Sequence, residues 1–117
     1  MPDSIGSLTV DGDFSLNSNN LKTLPRSIGS LVVRGSLTLW GNGLEHLPES
    51  IGQLRVGKDL DLSYNRLKTL PDSFSNISIG GSLNLDGNDL ETLPRGFGTH
   101  VGGRVVGVDK IWVWGDY

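Results

Sequence analysis

The 117-residue chain contains no cysteine. Disulfides, thiolate metal sites and cysteine nucleophiles are thereby excluded, and the compartment expected for such a chain is intracellular. A basic surplus is also missing, since ten Lys and Arg face thirteen Asp and Glu for a net charge of −3. Nucleic-acid binding rests mainly on neutralising phosphates, so this balance disfavours it. No stretch approaches the roughly 20 apolar residues of a membrane helix, and the opening MPDSIGSL has no basic region leading into an apolar run. These absences predict a soluble, cytoplasmic protein without membrane attachment, with secretion as an effector left open.

Proline is scarce, yet its five occurrences, Pro2, Pro25, Pro48, Pro71 and Pro94, all lie 23 residues apart. Asn19, Asn42, Asn65 and Asn88 keep the same spacing, as do Leu21, Leu44, Leu67 and Leu90. A fixed period of this length marks a repeat architecture, in which no single unit can bury its apolar residues without neighbours. The expected division is four units, 1–23, 24–46, 47–69 and 70–92, the start of another at 93–99, and a degenerate closing repeat or cap at 100–117. The first unit begins in mid-pattern, with Met1 where the others carry leucine. That uncapped start predicts a piece excised from a longer array.

Within each unit the pairs Phe14/Leu16, Leu37/Leu39, Leu60/Leu62 and Leu83/Leu85 alternate with polar residues, the mark of one short strand with a buried face. The Asn column follows, and its amides can bond backbone groups that a turn leaves unpaired, so four in register predict a ladder. Leu-Pro then turns the chain away from the sheet. Arg26–Ser27–Ile28–Gly29 and Glu49–Ser50–Ile51–Gly52 leave room for a single helical or 3₁₀ turn, with Ile inward and Gly ending the turn. Two charge columns, Lys22/Glu45/Lys68/Glu91 and Arg26/Glu49/Asp72/Arg95, read as structural ladders in which alternation relieves repulsion.

The segments Phe14 to Leu21, LTLWGNGL from Leu37, LDLSYNRL from Leu60 and LNLDGNDL from Leu83 resemble the leucine-rich-repeat core Leu-x-Leu-x-x-Asn-x-Leu. The following Leu-Pro-x-x-Ile-Gly is similar to the 23-residue class of that family. The resemblance implies an α/β-type repeat solenoid, a right-handed superhelix with a parallel β-sheet on its concave face and low helix content, used chiefly to bind proteins. One departure is that apolar Val10, Val33, Val56 and Ile79 stand one place earlier than the family pattern, with Gly12, Gly35 and Gly81 two residues later. The alternation Leu31, Val33, Gly35, Leu37, Leu39 suggests one longer extended run, and a convex side that is extended or irregular instead of helical.

Outward positions on the sheet are free for binding, because stacking commits the inward ones to the core. Trp40 and Tyr64 stand in adjacent units among acidic and small polar residues, the composition of interface hot spots. The expected contact surface centres on Trp40, Asp61 and Tyr64, with Asp59, Thr38, Asn84, Arg66 and Asp86 around them. Its acidity favours a protein partner with a basic surface. No enzyme activity, cofactor or metal is expected: His46 and His100 fall in different columns of non-adjacent units, and the acids lack a ligand-bearing loop. The alternatives are a targeting arm of a larger enzyme or effector, and a carbohydrate-binding module using the two aromatics. In the closing repeat, Val106, Val108 and Val113 continue the core columns, and Trp112 and Trp114 share one strand face. That end and the uncapped first unit are candidate sites of self-association.

Overall fold

A computed structural model describes residues 1–108 of the chain. Each unit opens on its proline, whose fixed φ starts a turn and whose carbonyl accepts a later N–H. At Pro25 φ is −71°, Ile28 N–H donates to the Pro25 carbonyl at 3.0 Å, and Leu31 N–H donates to the Ile28 carbonyl at 3.1 Å. The result is one short 3₁₀ helix per unit, at Asp3–Ser7, Arg26–Ser30, Glu49–Gln53 and Asp72–Asn76. Each buries one large apolar residue: Ile5, Ile28, Ile51 and Phe74. Phe97 continues the column, stacked on Phe74 with ring centroids 6.0 Å apart.

Glycine does not end these turns. Gly29 and Gly52 lie inside the 3₁₀ segments and outside the left-handed region. A Cβ on either would collide with the backbone carbonyl of Ser50 or Ser73 in the next unit. Close approach of stacked turns, and not helix termination, is what requires glycine there.

The strands are β1 (Thr9–Val10), β2 (Phe14–Ser15), β3 (Val32–Val33), β4 (Leu37–Thr38), β5 (Arg55–Val56), β6 (Leu60–Asp61), β7 (Ser78–Ile79), β8 (Leu83–Asn84) and β9 (Val105–Val106). They form two parallel sheets, a front sheet ordered β2-β4-β6-β8-β9 and a back sheet ordered β1-β3-β5-β7. The expectation of one strand per unit, on a single extended run, is corrected: each run breaks into two strands at a corner. Inward alternation persists around it, with Leu31, Val33, Leu37 and Leu39 all buried. Gly35 is the inward residue at the corner, where a Cβ would meet the Asp13 carboxylate and the Gly12 backbone. Side-chain oxygens hold the corner from unit to unit. Asp13 Oδ1 accepts Ser36 N–H at 2.8 Å, Ser36 Oγ accepts Asp59 N–H at 3.2 Å, and Asp59 Oδ1 accepts Ser82 N–H at 2.8 Å. The back of the molecule is thus strand and 3₁₀ turn, in keeping with the extended convex side expected from the sequence.

The core fills the space between the two sheets and the turns, and Leu37, Leu39, Leu44, Leu60, Leu62 and Leu67 are completely enclosed. The Asn ladder forms over three of its four members. Asn65 Oδ1 accepts the N–H groups of Asn42 and Leu44, while its amide donates to the carbonyls of Leu39 and Leu62. Asn42 acts in the same way, and Asn88 Oδ1 accepts Leu67 N–H while its amide donates to the carbonyls of Leu62 and Leu85. Asn19 is exposed and contributes its backbone N–H to Asn42 instead; a ladder rung of this kind needs carbonyls of the preceding unit, which the first unit lacks among the described residues.

The last step is 22 residues, not 23: Leu83 pairs with Val105 and Asn84 with Val106. Val105 therefore takes the core side, and Val106, expected in the core, is 38% exposed. The slip falls between Phe97, still 23 residues after Phe74, and Val101, 22 after Ile79, and left-handed Gly98 lies within it. Val108 does pack against the core. Val113, Trp112 and Trp114 lie outside the described residues.

The charge columns do not close ion pairs. Among the described residues the pair within bonding distance is Arg34–Asp11 at 3.2 Å, in a different column. Exposed long side chains gain too little from pairing to hold one geometry. Also among the described residues, no helix is long and apolar enough to cross a membrane.

Candidate functional site

Along the front sheet, parallel pairing sets Thr38 beside Asp61 and Asp61 beside Asn84. Alternation turns all three outward, half-buried against their neighbours. With Ser36, Asp59, Leu60, Ser82 and Val106 they line a shallow depression of about 360 Å³. Four of the expected residues, Thr38, Asp59, Asp61 and Asn84, thus come together.

Both carboxylates already hold the backbone with one oxygen. Asp59 Oδ1 accepts Ser82 N–H, and Asp61 Oδ1 accepts the N–H and hydroxyl of Ser63, which is buried. Asn84 Oδ1 likewise accepts Asp86 N–H at 2.9 Å. These bonds fix the side chains in place, and each carboxylate keeps a second oxygen for a ligand. Preset geometry reduces the entropy lost on binding.

Trp40 and Tyr64 sit at the C-terminal rim of the strands, 41% and 61% exposed, edge to face with ring centroids 6.3 Å apart and planes at 73°. Trp40 N–H donates to Asn17 Oδ1 at 3.0 Å. Tyr64 N–H donates to the Asp86 carbonyl at 2.7 Å. The column of Tyr64 is left-handed throughout: φ is 53° at Ser18, 69° at Gly41, 54° at Tyr64 and 70° at Gly87. A bulky aromatic there is an outlier that costs about 1–2 kcal/mol. Gly87 leaves room for it, since a Cβ at Gly87 would strike the Tyr64 ring.

Asp86 and Arg66 do not line the depression. Asp86 stands half-buried beside Tyr64 in the next unit, and Arg66 is exposed on the turn after the Asn65 rung. The lining residues not anticipated as part of the site were Ser36, Ser82, Val106 and Leu60, the last assigned to the core. The two serines share the corner column with Asp59 and were legible by position, whereas Val106 was hidden by the shortened final step. Among the described residues, no three His, Asp or Glu side chains gather as a metal site.

None of the curated proteins matches the chain. The family model described as leucine rich repeat matches residues 35–96, more than half of the chain and the span that holds β4 through β8. With stacked parallel strands, an asparagine ladder and a continuous leucine core, the chain belongs to the leucine-rich-repeat family.

Proposed function

We propose that the chain is a non-catalytic protein-interaction module that binds a partner with a basic surface on its front sheet. Trp40, Tyr64 and Asp61 form the centre of the contact, with Asp59, Thr38, Asn84, Asp86 and Arg66 around them. The observation that carries this reading is Tyr64: an exposed ring in a left-handed position, paired with exposed Trp40, where the other units place Ser or Gly. Strain of this kind persists where surroundings or function demand it. The front-strand segments 13–18, 36–41, 59–64 and 82–87 carry Asp13, Asp59, Asp61 and Asp86 and no Lys or Arg, and Arg104 stands at the β9 end of the sheet. That field steers a cationic partner and repels an acidic one.

The reading includes 23-residue units closed by residues 100–117, and a cytoplasmic setting. The test is capture of partners from lysate by the wild-type chain and by Tyr64→Gly and Trp40→Ala. The partner retained by the wild type is then titrated as a purified protein. Each substitution is expected to weaken it by about tenfold or more, with binding falling as salt rises. Tyr64→Gly should leave stability unchanged or raise it by about 1 kcal/mol, because it relieves the backbone. Equal binding by all three proteins overturns the reading. Retention of a protein with a silent glycan array is the expected pattern.

A further inference from the structure

We infer that the back sheet is a second, independent binding surface, and that its occupant is an acidic segment of a partner protein. The charges of the four 23-residue units are segregated by sheet. The back-sheet segments 8–12, 31–35, 54–58 and 77–81 carry Arg34, Arg55 and Lys58 against a lone acid, Asp11, whereas the front segments 13–18, 36–41, 59–64 and 82–87 carry acids only and a cation, Arg104, enters the front sheet beside β9. An acidic partner repelled by the front face is therefore attracted to the back.

Arg34 and Arg55 line one open groove of about 250 Å³ with Val32, Gly57, Ser78 and Gly80. Its floor is formed by the stacking itself. A Cβ at Gly57 would collide with the Arg34 carbonyl, and one at Gly80 with the Gly57 carbonyl, so these two positions stay without side chains. The unit before them carries Arg34 in that column, which closes the groove with a guanidinium. An extended segment can thus approach the back-sheet backbone closely while its carboxylate meets two planar, donor-rich groups. Val32, outward and half-buried, supplies an apolar wall for the stem of a Glu side chain. The groove is short and the chain carries net negative charge, which suits one or two carboxylates and not a polyphosphate backbone.

Asp11 is the competitor already present. It holds Arg34 at 3.2 Å, with the two side chains 85% and 66% exposed. Arg55 has no ion-pair partner among the described residues. A ligand carboxylate therefore finds Arg55 available and draws Arg34 from a weak, solvated pair.

The experiment titrates the full chain with a fluorescein-labelled oligoglutamate peptide at low salt, followed by anisotropy. Saturable binding is expected, weakened by about tenfold or more in Arg34→Glu/Arg55→Glu. Asp11→Asn is expected to tighten binding by roughly twofold, since it frees Arg34. Trp40→Ala should leave it unchanged, so failure here is separate from failure of the front-sheet reading. Amide shift changes on adding the peptide to wild-type protein should fall on residues 32–34, 55–57 and 78–80, a readout that needs no variant to fold. No saturable binding, shift changes confined to other residues, or equal competition by inorganic phosphate at matched charge would each overturn the inference.

Discussion

Asparagine illustrates how position in the stack decides what one residue type is worth. Asn65 is buried and serves the N–H groups of Asn42 and Leu44 together with the carbonyls of Leu39 and Leu62. Replacing it by Ala strands the two N–H groups away from water, whereas the two carbonyls keep the amides of Asn42 and Asn88. Each buried orphan costs about 1–3 kcal/mol, so Asn65→Ala is expected to lose about 3–5 kcal/mol in urea denaturation. Asn19, identical in the repeat pattern, is exposed and gives the ladder only its backbone. Asn19→Ala should cost less than about 0.5 kcal/mol. Comparable losses from the two substitutions would show that the ladder is not what makes the column essential. The same contrast holds for serine: the hydroxyls of Ser50 and Ser73 donate to the carbonyls of Arg26 and Glu49, while the Ser27 hydroxyl is buried without a partner.

Elements in this protein are too short to be stable alone. Among the described residues no strand exceeds two residues and no helix exceeds five, so each exists only against its copy in the next unit. Contact between the 3₁₀ turns is correspondingly tight. Gly52→Ala places a methyl group on the Ser73 carbonyl, and the turns must separate. The expected loss is about 1–3 kcal/mol by thermal or urea unfolding, although the same substitution in an isolated turn would be favourable. A stable Gly52→Ala protein would mean that the turns stack less closely than the structure shows. The corner between sheets is an element of the same kind, made by Gly35 and by the oxygens of Asp13, Ser36 and Asp59.

At the scale of the whole molecule, the stack measures 40 × 26 × 20 Å, and each unit contacts its neighbours through matching columns. Stability in such an array is a sum of unit and nearest-neighbour terms. The central units enclose Leu39 and Leu62 completely, while Phe14, Leu16 and Leu21 in the first unit are only partly covered. All three amides of Leu16, Leu39 and Leu62 donate to carbonyls one unit on, so differences among them report local opening and not missing bonds. Hydrogen exchange is expected to be slowest at Leu39 and Leu62 and clearly faster at Leu16. Uniform protection would instead indicate a single cooperative unit.

The period, the leucine core and, in the four 23-residue units, the side each strand residue presents were legible in the sequence, because stacking similar units forces the same residue type into the same column. The alternation from Leu31 to Leu39 likewise determined which residues point inward. It could not show the corner, since a straight strand and a bent one bury the same alternate positions, and only the contacts of Gly35 with the neighbouring unit select the bend. The shortened step that exposes Val106 was hidden for a related reason: a run of valines and glycines fits either register, and pairing of Leu83 with Val105 chooses one. At the surface, the sequence placed Trp40, Tyr64, Asp59 and Asp61 on one face. Tertiary structure alone set the left-handed backbone beneath Tyr64, the bonds that fix both carboxylates, and the arginine-flanked groove on the opposite sheet. Those features depend on distances between units, which a one-dimensional pattern does not contain.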